Sequence, residues 1–223
     1  NIAGTWTLAY TMVGNPPILW AAEYNGYVYF ATATHLSRVL LATLASTFTP
    51  TDINWQAFTE QDTTNHPMVA TNLYLYIGDG QYVATVQDTV FDATTLNVPS
   101  DENVYQLTDN GASIRVYTRK WVSDTGVTYY RDGVSDAVEQ TQRLTGKMYN
   151  VCTKDDVDYI TMGTMPILYF YPYQKQPLKR VDEYALSPYP NSMIVYENYV
   201  LIGSQWGVYT RWAYTKDYPE CLN

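Results

Sequence analysis

The chain has 223 residues, 46% apolar and 16% charged, with a formal charge of −9. That length suits one domain with a buried core, and 23 Tyr, 6 Trp and 5 Phe exclude a disordered chain. No run approaches the roughly 18 consecutive apolar residues of a membrane helix, and two Cys exclude a disulfide-dense scaffold or a cysteine-rich zinc module.

The first strand signal is residues 4–12 (GTWTLAYTM), followed by a series of segments of one form: apolar strand, tight polar turn, apolar strand. These are residues 18–32, 68–86, 103–118, 147–163 and 192–210. Their first turns centre on Asn25, Asn72, Asn110, Asp155 and Asn198, at intervals of 47, 38, 45 and 43 residues. The best helical window, residues 36–44 (LSRVLLATL), reads equally well as a strand. A third strand follows a second turn in each unit. The turn at Gly78-Asp79-Gly80 precedes QYVATV, and Ser204-Gln205-Trp206-Gly207 precedes VYTRW. Fainter outer strands are predicted at residues 55–58, 91–98, 139–144 and 178–181.

A multi-stranded unit repeating every 40–45 residues or so is the pattern of a β-propeller blade, whose sheets cover each other's faces by packing radially. The expected fold is therefore all-β, a propeller of five blades of about 38–47 residues in one domain, residues 1–223. The last unit has three clear strands, so residues 4–12 are expected to complete it and close the ring. The alternative is an open arc within a longer chain. The start at Asn1 fits either removal of an N-terminal piece or a fragment. The G-x-W at residues 4–6 resembles a lipocalin opening, but the later repeats do not suit a single eight-stranded barrel.

Several stretches carry a more particular likeness. They are NLYLYIGDGQYVATVQDTVFDATTLNVP (72–99), with its Leu-x-x-Pro outer strand, YYRDGVSDAVEQTQRL (129–144), ILYFYPYQKQPLKRV (167–181) and GVYTRWAYTKDYPECLN (207–223). Together they resemble divergent β-propeller repeats of tailed-bacteriophage virion proteins, in tail, tail-tip or connector assemblies. The resemblance implies a structural or adhesion role in a virion or an extracellular assembly. It brings no catalytic motif that maps onto these residues.

Charge is unevenly spread. Residues 1–114 hold one base, Arg38, against ten acids, whereas residues 115–223 hold twelve of each. An acidic half repels phosphate, so no nucleic-acid partner is expected, nor membrane insertion. His35 and His66 lack a second ligand at metal spacing and read as structural or exposed. Asp155, Asp156 and Asp158 fall on a turn entering a strand, where Asp is common, and lack the spacing of a calcium loop. No nucleophile elbow or phosphate-cradling glycine loop occurs. Cys152 and Cys221 could pair, with two free thiols preferred.

No catalytic residue, metal or cofactor is therefore expected, and the chain is expected not to be an enzyme. Trp206, in a turn, and the basic loop with Lys175, Lys179 and Arg180 are the expected partner-binding residues. The expected partners are other structural proteins of the same assembly, with cell-surface glycan as a further one. The alternative function is a lectin-like or glycan-processing propeller. That reading needs a repeated Trp or Tyr with Asp at one equivalent point in each blade, and Trp20, Trp55, Trp121, Trp206 and Trp212 do not share a blade position.

Overall fold

The computed structural model describes residues 16–43, 52–60, 65–109, 113–120, 126–132, 139–144, 148–154, 157–162, 167–171, 179–180, 190–204 and 207–212. They form five antiparallel sheets, each made from one continuous stretch of chain with strands side by side in chain order. The first sheet contains β1 (Trp20–Tyr24), β2 (Tyr27–Ala31), β3 (His35–Leu40) and β4 (Asp52–Ala57). The second contains β5 (Met68–Ala70), β6 (Leu75–Asp79), β7 (Tyr82–Gln87) and β8 (Val90–Asn97). The third contains β9 (Glu102–Asp109), β10 (Ser113–Lys120), β11 (Gly126–Asp132) and β12 (Glu139–Leu144). The fourth contains β13 (Met148–Lys154), β14 (Val157–Met162), β15 (Ile167–Tyr171) and β16 (Lys179–Arg180). The fifth contains β17 (Pro190–Tyr196), β18 (Tyr199–Ser204) and β19 (Gly207–Trp212).

The turns explain much of the register. Tyr24 pairs with Tyr27 across Asn25-Gly26, whose φ values of 47° and 77° belong to the left-handed region that tight hairpins need. Asp88 and Glu197 take the same kind of φ in the two-residue turns before Val90 and Tyr199. The window at 36–44 resolves as a strand to Leu40, then a short 3-10 turn, Leu41–Thr43.

Two expectations change in detail. Gly78 and Asp79 lie within β6, and the turn there is Gly80-Gln81, with φ +59° at Gly80. Lys179 and Arg180 form strand β16 against Phe170 and Tyr169, within the outer strand expected at 178–181 and not in a loop. The strand expected to close a ring, residues 4–12, lies outside the described residues, as do Lys175 and Trp206.

The sheets pack in chain order. Between the first and second, Tyr24, Tyr29, Ala31 and Leu36 meet Leu75, Ile77, Ala84 and Val86. Between the second and third, Tyr76, Val83 and Leu96 meet Val104, Leu107, Ile114 and Val116. Tyr117 with Met148, Val151 and Ile160 joins the third to the fourth, and β17 lies against β13. Each fully buried aliphatic contributes roughly 1.5–3 kcal/mol relative to exposure. In the fifth sheet Val200 and Ile202 are fully buried, whereas Ile194 and Tyr196, on the other face, are 63% and 62% exposed.

Gly78 shows how tightly adjoining sheets meet. A Cβ there would stand 2.8 Å from Pro67 Cγ and 2.8 Å from Val104 Cγ1. Gly78→Ala is expected to cost about 1–3 kcal/mol by overpacking, read as a lower urea midpoint with an unchanged slope. An unaltered midpoint would mean that the second and third sheets can part without cost at this point.

Candidate functional site

Three buried polar groupings lie between sheets. The first is centred on Asp158 in β14, which is fully buried. Its Oδ2 accepts from Thr108 Oγ1 (2.8 Å), Arg115 Nη1 (2.6 Å) and Tyr117 Oη (2.6 Å), and its Oδ1 from Thr153 Oγ1 (2.6 Å). Burial works against the Arg115 charge, but the Asp158 carboxylate outweighs it and the guanidinium is held more firmly protonated than usual. Every lone pair so used is committed to the joint between the third and fourth sheets, which makes this an anchor rather than a reactive centre. Cys152 nearby is a free thiol pushed up to about 12 by burial and by Asp158, and is therefore a poor nucleophile. Of the expected aspartate group, Asp158 has this structural role, and Asp155 and Asp156 lie outside the described residues.

The second grouping surrounds His66, fully buried just before β5. Its ring stacks on Phe58 at 3.8 Å. Nδ1 lies 2.9 Å from the Gly78 carbonyl oxygen and Nε2 3.4 Å from that of Ala33. Asp79 Oδ1 is 3.9 Å from Nδ1, and the Asp79 carboxylate accepts from the backbone N–H groups of Thr59 and Glu60. Burial lowers the His66 pKa, although the carbonyls and Asp79 pull the other way. Burial likewise raises that of Asp79, against its two N–H donors. With no exposed edge, the pair serves the seam between the first and second sheets.

The third grouping is the one that reaches the surface. Arg38 in β3 holds its guanidinium carbon over the Trp55 ring, 3.9 Å from the centroid, and over the Tyr27 ring at 4.8 Å. Its Nε donates to Asp52 Oδ2 at 2.7 Å. Tyr29, fully buried, packs 6.1 Å from Trp55, which in turn meets the edge of Phe91 from the second sheet. The Tyr29 hydroxyl lies close enough for the Arg38 charge to act on it, yet burial prevails and raises its pKa. Tyr29 Oη and Arg38 Nη1 are both buried, and the Tyr29 hydroxyl and the Arg38 guanidinium partner one another. Asp52 is 37% exposed and Arg38 11%, so the grouping opens to solvent beside the carboxylate.

A guanidinium, a half-exposed carboxylate and the rings of Trp55 and Tyr27 are brought to one place here. Aromatic faces with a few fixed polar groups are what small-molecule sites are made of. Sequence reading missed this site. The available signal was the single base of residues 1–114 placed inside a Leu-rich strand, where a charge needs a built environment. Among the described residues no group of three or more His, Cys, Asp or Glu could hold a metal ion, and no helix is long and apolar enough to cross a membrane.

No family model matches the sequence, and no curated protein matches it. Solved structures do. A structure named as a 6-phosphogluconolactonase from Bacteroides uniformis aligns over 87% of this chain and 66% of its own, with a TM-score of 0.62 at 16% identity. The extracellular domain of a one-component system from B. thetaiotaomicron aligns over 85% of this chain and 26% of its own, with a TM-score of 0.63 at 12% identity. An oligogalacturonate lyase in complex with manganese aligns over 85% and 74%, with a TM-score of 0.50 at 10% identity. The chain thus spans about two thirds of the first structure's length and a quarter of the second's.

These are β-propeller-like proteins, and this chain has the same all-β, propeller-like fold. The resemblance to virion propellers narrows to that fold. The expectation that the chain is not an enzyme is corrected, since structures named as a lactonase and a lyase share the architecture. The reason is physical. Motif reading looks for short spacings along the chain, whereas stacked sheets build sites from residues on different strands and sheets.

Two outcomes follow from the buried polar pairs. Asp158→Asn leaves Arg115 charged and buried without its counter-ion and should cost about 3–5 kcal/mol in chemical denaturation. The apolar double variant Arg115→Met, Asp158→Leu should recover only part of that, because Thr108, Tyr117 and Thr153 still lose their acceptor. For His66, the unfolded chain binds a proton near pH 6.5 that the folded chain resists, so this residue removes stability as pH falls through 6.5. Asp79, raised by burial, acts in the opposite sense, and only as pH falls towards the carboxylate range. By pH 5.5 His66→Gln should therefore have lost less stability than the parent, measured by urea titrations at pH 7.5 and 5.5. Equal losses would show that His66 takes up its proton in the folded state.

Proposed function

We propose that this chain is a carbohydrate-directed β-propeller of an extracellular or surface assembly, engaging glycan at the Arg38 site between its first two sheets. The observation that carries the reading is the Arg38 guanidinium set over the Trp55 and Tyr27 rings and paired with Asp52, whose carboxylate is 37% exposed. Sugars need this combination. Their C–H faces lie against aromatic rings, and their hydroxyls take hydrogen bonds from a guanidinium and give them to a carboxylate. Two proteins of like fold carry sugar-derived names, a lactonase and a lyase, which supports the direction.

The fold reading extends to a five-bladed ring. Each of β5, β9, β13 and β17 is preceded in the chain by the outer strand of the sheet before it. Residues 4–12 precede β1 in the same way, with Trp6, Leu8, Tyr10 and Met12 alternating with smaller residues, and the fifth sheet has three strands among the described residues. Ring closure would bring the first sheet against the exposed face of Ile194 and Tyr196.

Two measurements test these readings. On a glycan array the chain should bind a defined set of sugars, and Arg38→Gln and Tyr29→Phe should each weaken that binding at least tenfold, with thermal melting confirming that the variants fold. Binding that survives both substitutions would remove the site from consideration. Thr7→Pro, which takes away one strand donor, should lower stability by about 2–3 kcal/mol if residues 4–12 pair in a sheet, and should leave it unchanged if they do not.

A further inference from the structure

The turn between β1 and β2 has a chemistry that the sugar reading does not use. Asn25 and Gly26 are exposed at its tip, and both take left-handed φ values, 47° and 77°. The ladder closes at the Tyr24–Tyr27 pair, so the Gly26 N–H lies outside it. Apart from the chain neighbours, no atom stands within 4 Å of the place a Gly26 Cβ would occupy, so no side chain screens this peptide from water. The Asn25 side chain also reaches the second sheet. Its Nδ2 donates to Asp88 Oδ1 at 3.3 Å, in the turn before β8. Beside it, Tyr24 Oη donates to the Leu73 carbonyl at 2.6 Å and accepts from the Asp88 backbone N–H. These contacts tie the tips of the first and second sheets together.

We propose that Asn25-Gly26 is a site of spontaneous deamidation, and that the change undoes the tie to Asp88. Glycine offers the least hindrance to attack by its own nitrogen, because it has no Cβ. Hydroxide removes the Gly26 amide proton, and the nitrogen attacks Asn25 Cγ. The N–Cγ bond forms, the Cγ–Nδ2 bond breaks, and ammonia leaves with a proton from water, giving a five-membered succinimide. Water then opens one of the two imide C–N bonds and yields aspartate or isoaspartate at position 25. The sum is hydrolysis of one amide, with no oxidant, reductant or cofactor. Nδ2 is the atom that donates to Asp88. A carboxylate oxygen in its place removes the donor and sets two negative charges against each other. The isoaspartyl product also inserts one carbon into the main chain, which a two-residue turn cannot absorb while Tyr24 stays opposite Tyr27. Both products therefore loosen the first sheet from the second at this end.

For the test, folded protein is held at 37 °C at pH 6.5 and 8.5, digested with trypsin at intervals and read by tandem mass spectrometry. Trypsin cuts after Arg38, so Asn25 and the second Asn-Gly pair, Asn110-Gly111, fall in different peptides. The mass gain of an amide-to-acid change should accumulate at Asn25, at least tenfold faster at pH 8.5. It should be absent at that position from Asn25→Gln, whose cyclic intermediate would need one more ring atom. Protein aged in this way should unfold at a lower urea concentration than fresh protein. Asn25→Asp should lower the midpoint at once, and either added salt or a second change, Asp88→Asn, should restore much of it. No gain at Asn25 in the folded protein, while chain unfolded in guanidinium chloride converts, would overturn the site. Conversion with an unaltered midpoint, or an Asn25→Asp variant as stable as the parent, would overturn the role given to Asp88.

Discussion

Everything in this molecule depends on one constraint: a meandering sheet of three or four short strands has two faces and cannot cover either. The chain meets it by repetition. Leu75, Ile77 and Ala84 turn one face of the second sheet towards the first, while Tyr76 and Val83 turn the other towards the third. Period-two alternation is thus apolar on both sides, unlike a sheet with one wet face. The intimacy of the contact is visible at Gly78, where no side chain fits between Pro67 and Val104.

Packing by faces leaves polar side chains stranded unless partners arrive from the neighbouring sheet. Asp158 obtains Thr108, Arg115 and Tyr117 from the third sheet. His66 has Phe58 from the end of the first sheet and Asp79 from the second. These groups tie particular sheets together in a particular order, a specificity that apolar surfaces alone supply poorly. At Arg38 the grouping reaches the surface instead, with the Asp52 carboxylate 37% exposed beside the guanidinium.

The hairpins were legible because their information is local. Asn25-Gly26 and the alternation around it announce a turn and two strands, and the faint outer strands at 139–144 and 179–180 were found near their predicted places. The Gly78-Asp79 error came from reading glycine as a turn residue when its reason was a close approach by another sheet. The site was not legible for the same cause. Tyr29, Arg38, Asp52 and Trp55 come from three strands, and Phe91 comes from the next sheet. The third-sheet partners of Asp158 lie 41 to 50 residues away in the chain. The tyrosine alternation at Tyr27 and Tyr29 was visible, but not that a guanidinium would lie against one ring and beside the other.

The sequential order of strands within every sheet has a consequence for how the chain matures. Each sheet draws on a single uninterrupted stretch of polypeptide, so its hydrogen-bond ladder requires no distant partner. During synthesis a sheet can take shape soon after its last strand leaves the ribosome, and the next can then condense upon it, as domains do when they fold from the N-terminal side. The long-range ties, such as Arg115 to Asp158, come only with that second event. A nascent chain built this way exposes one bare sheet face at a time, at its growing end.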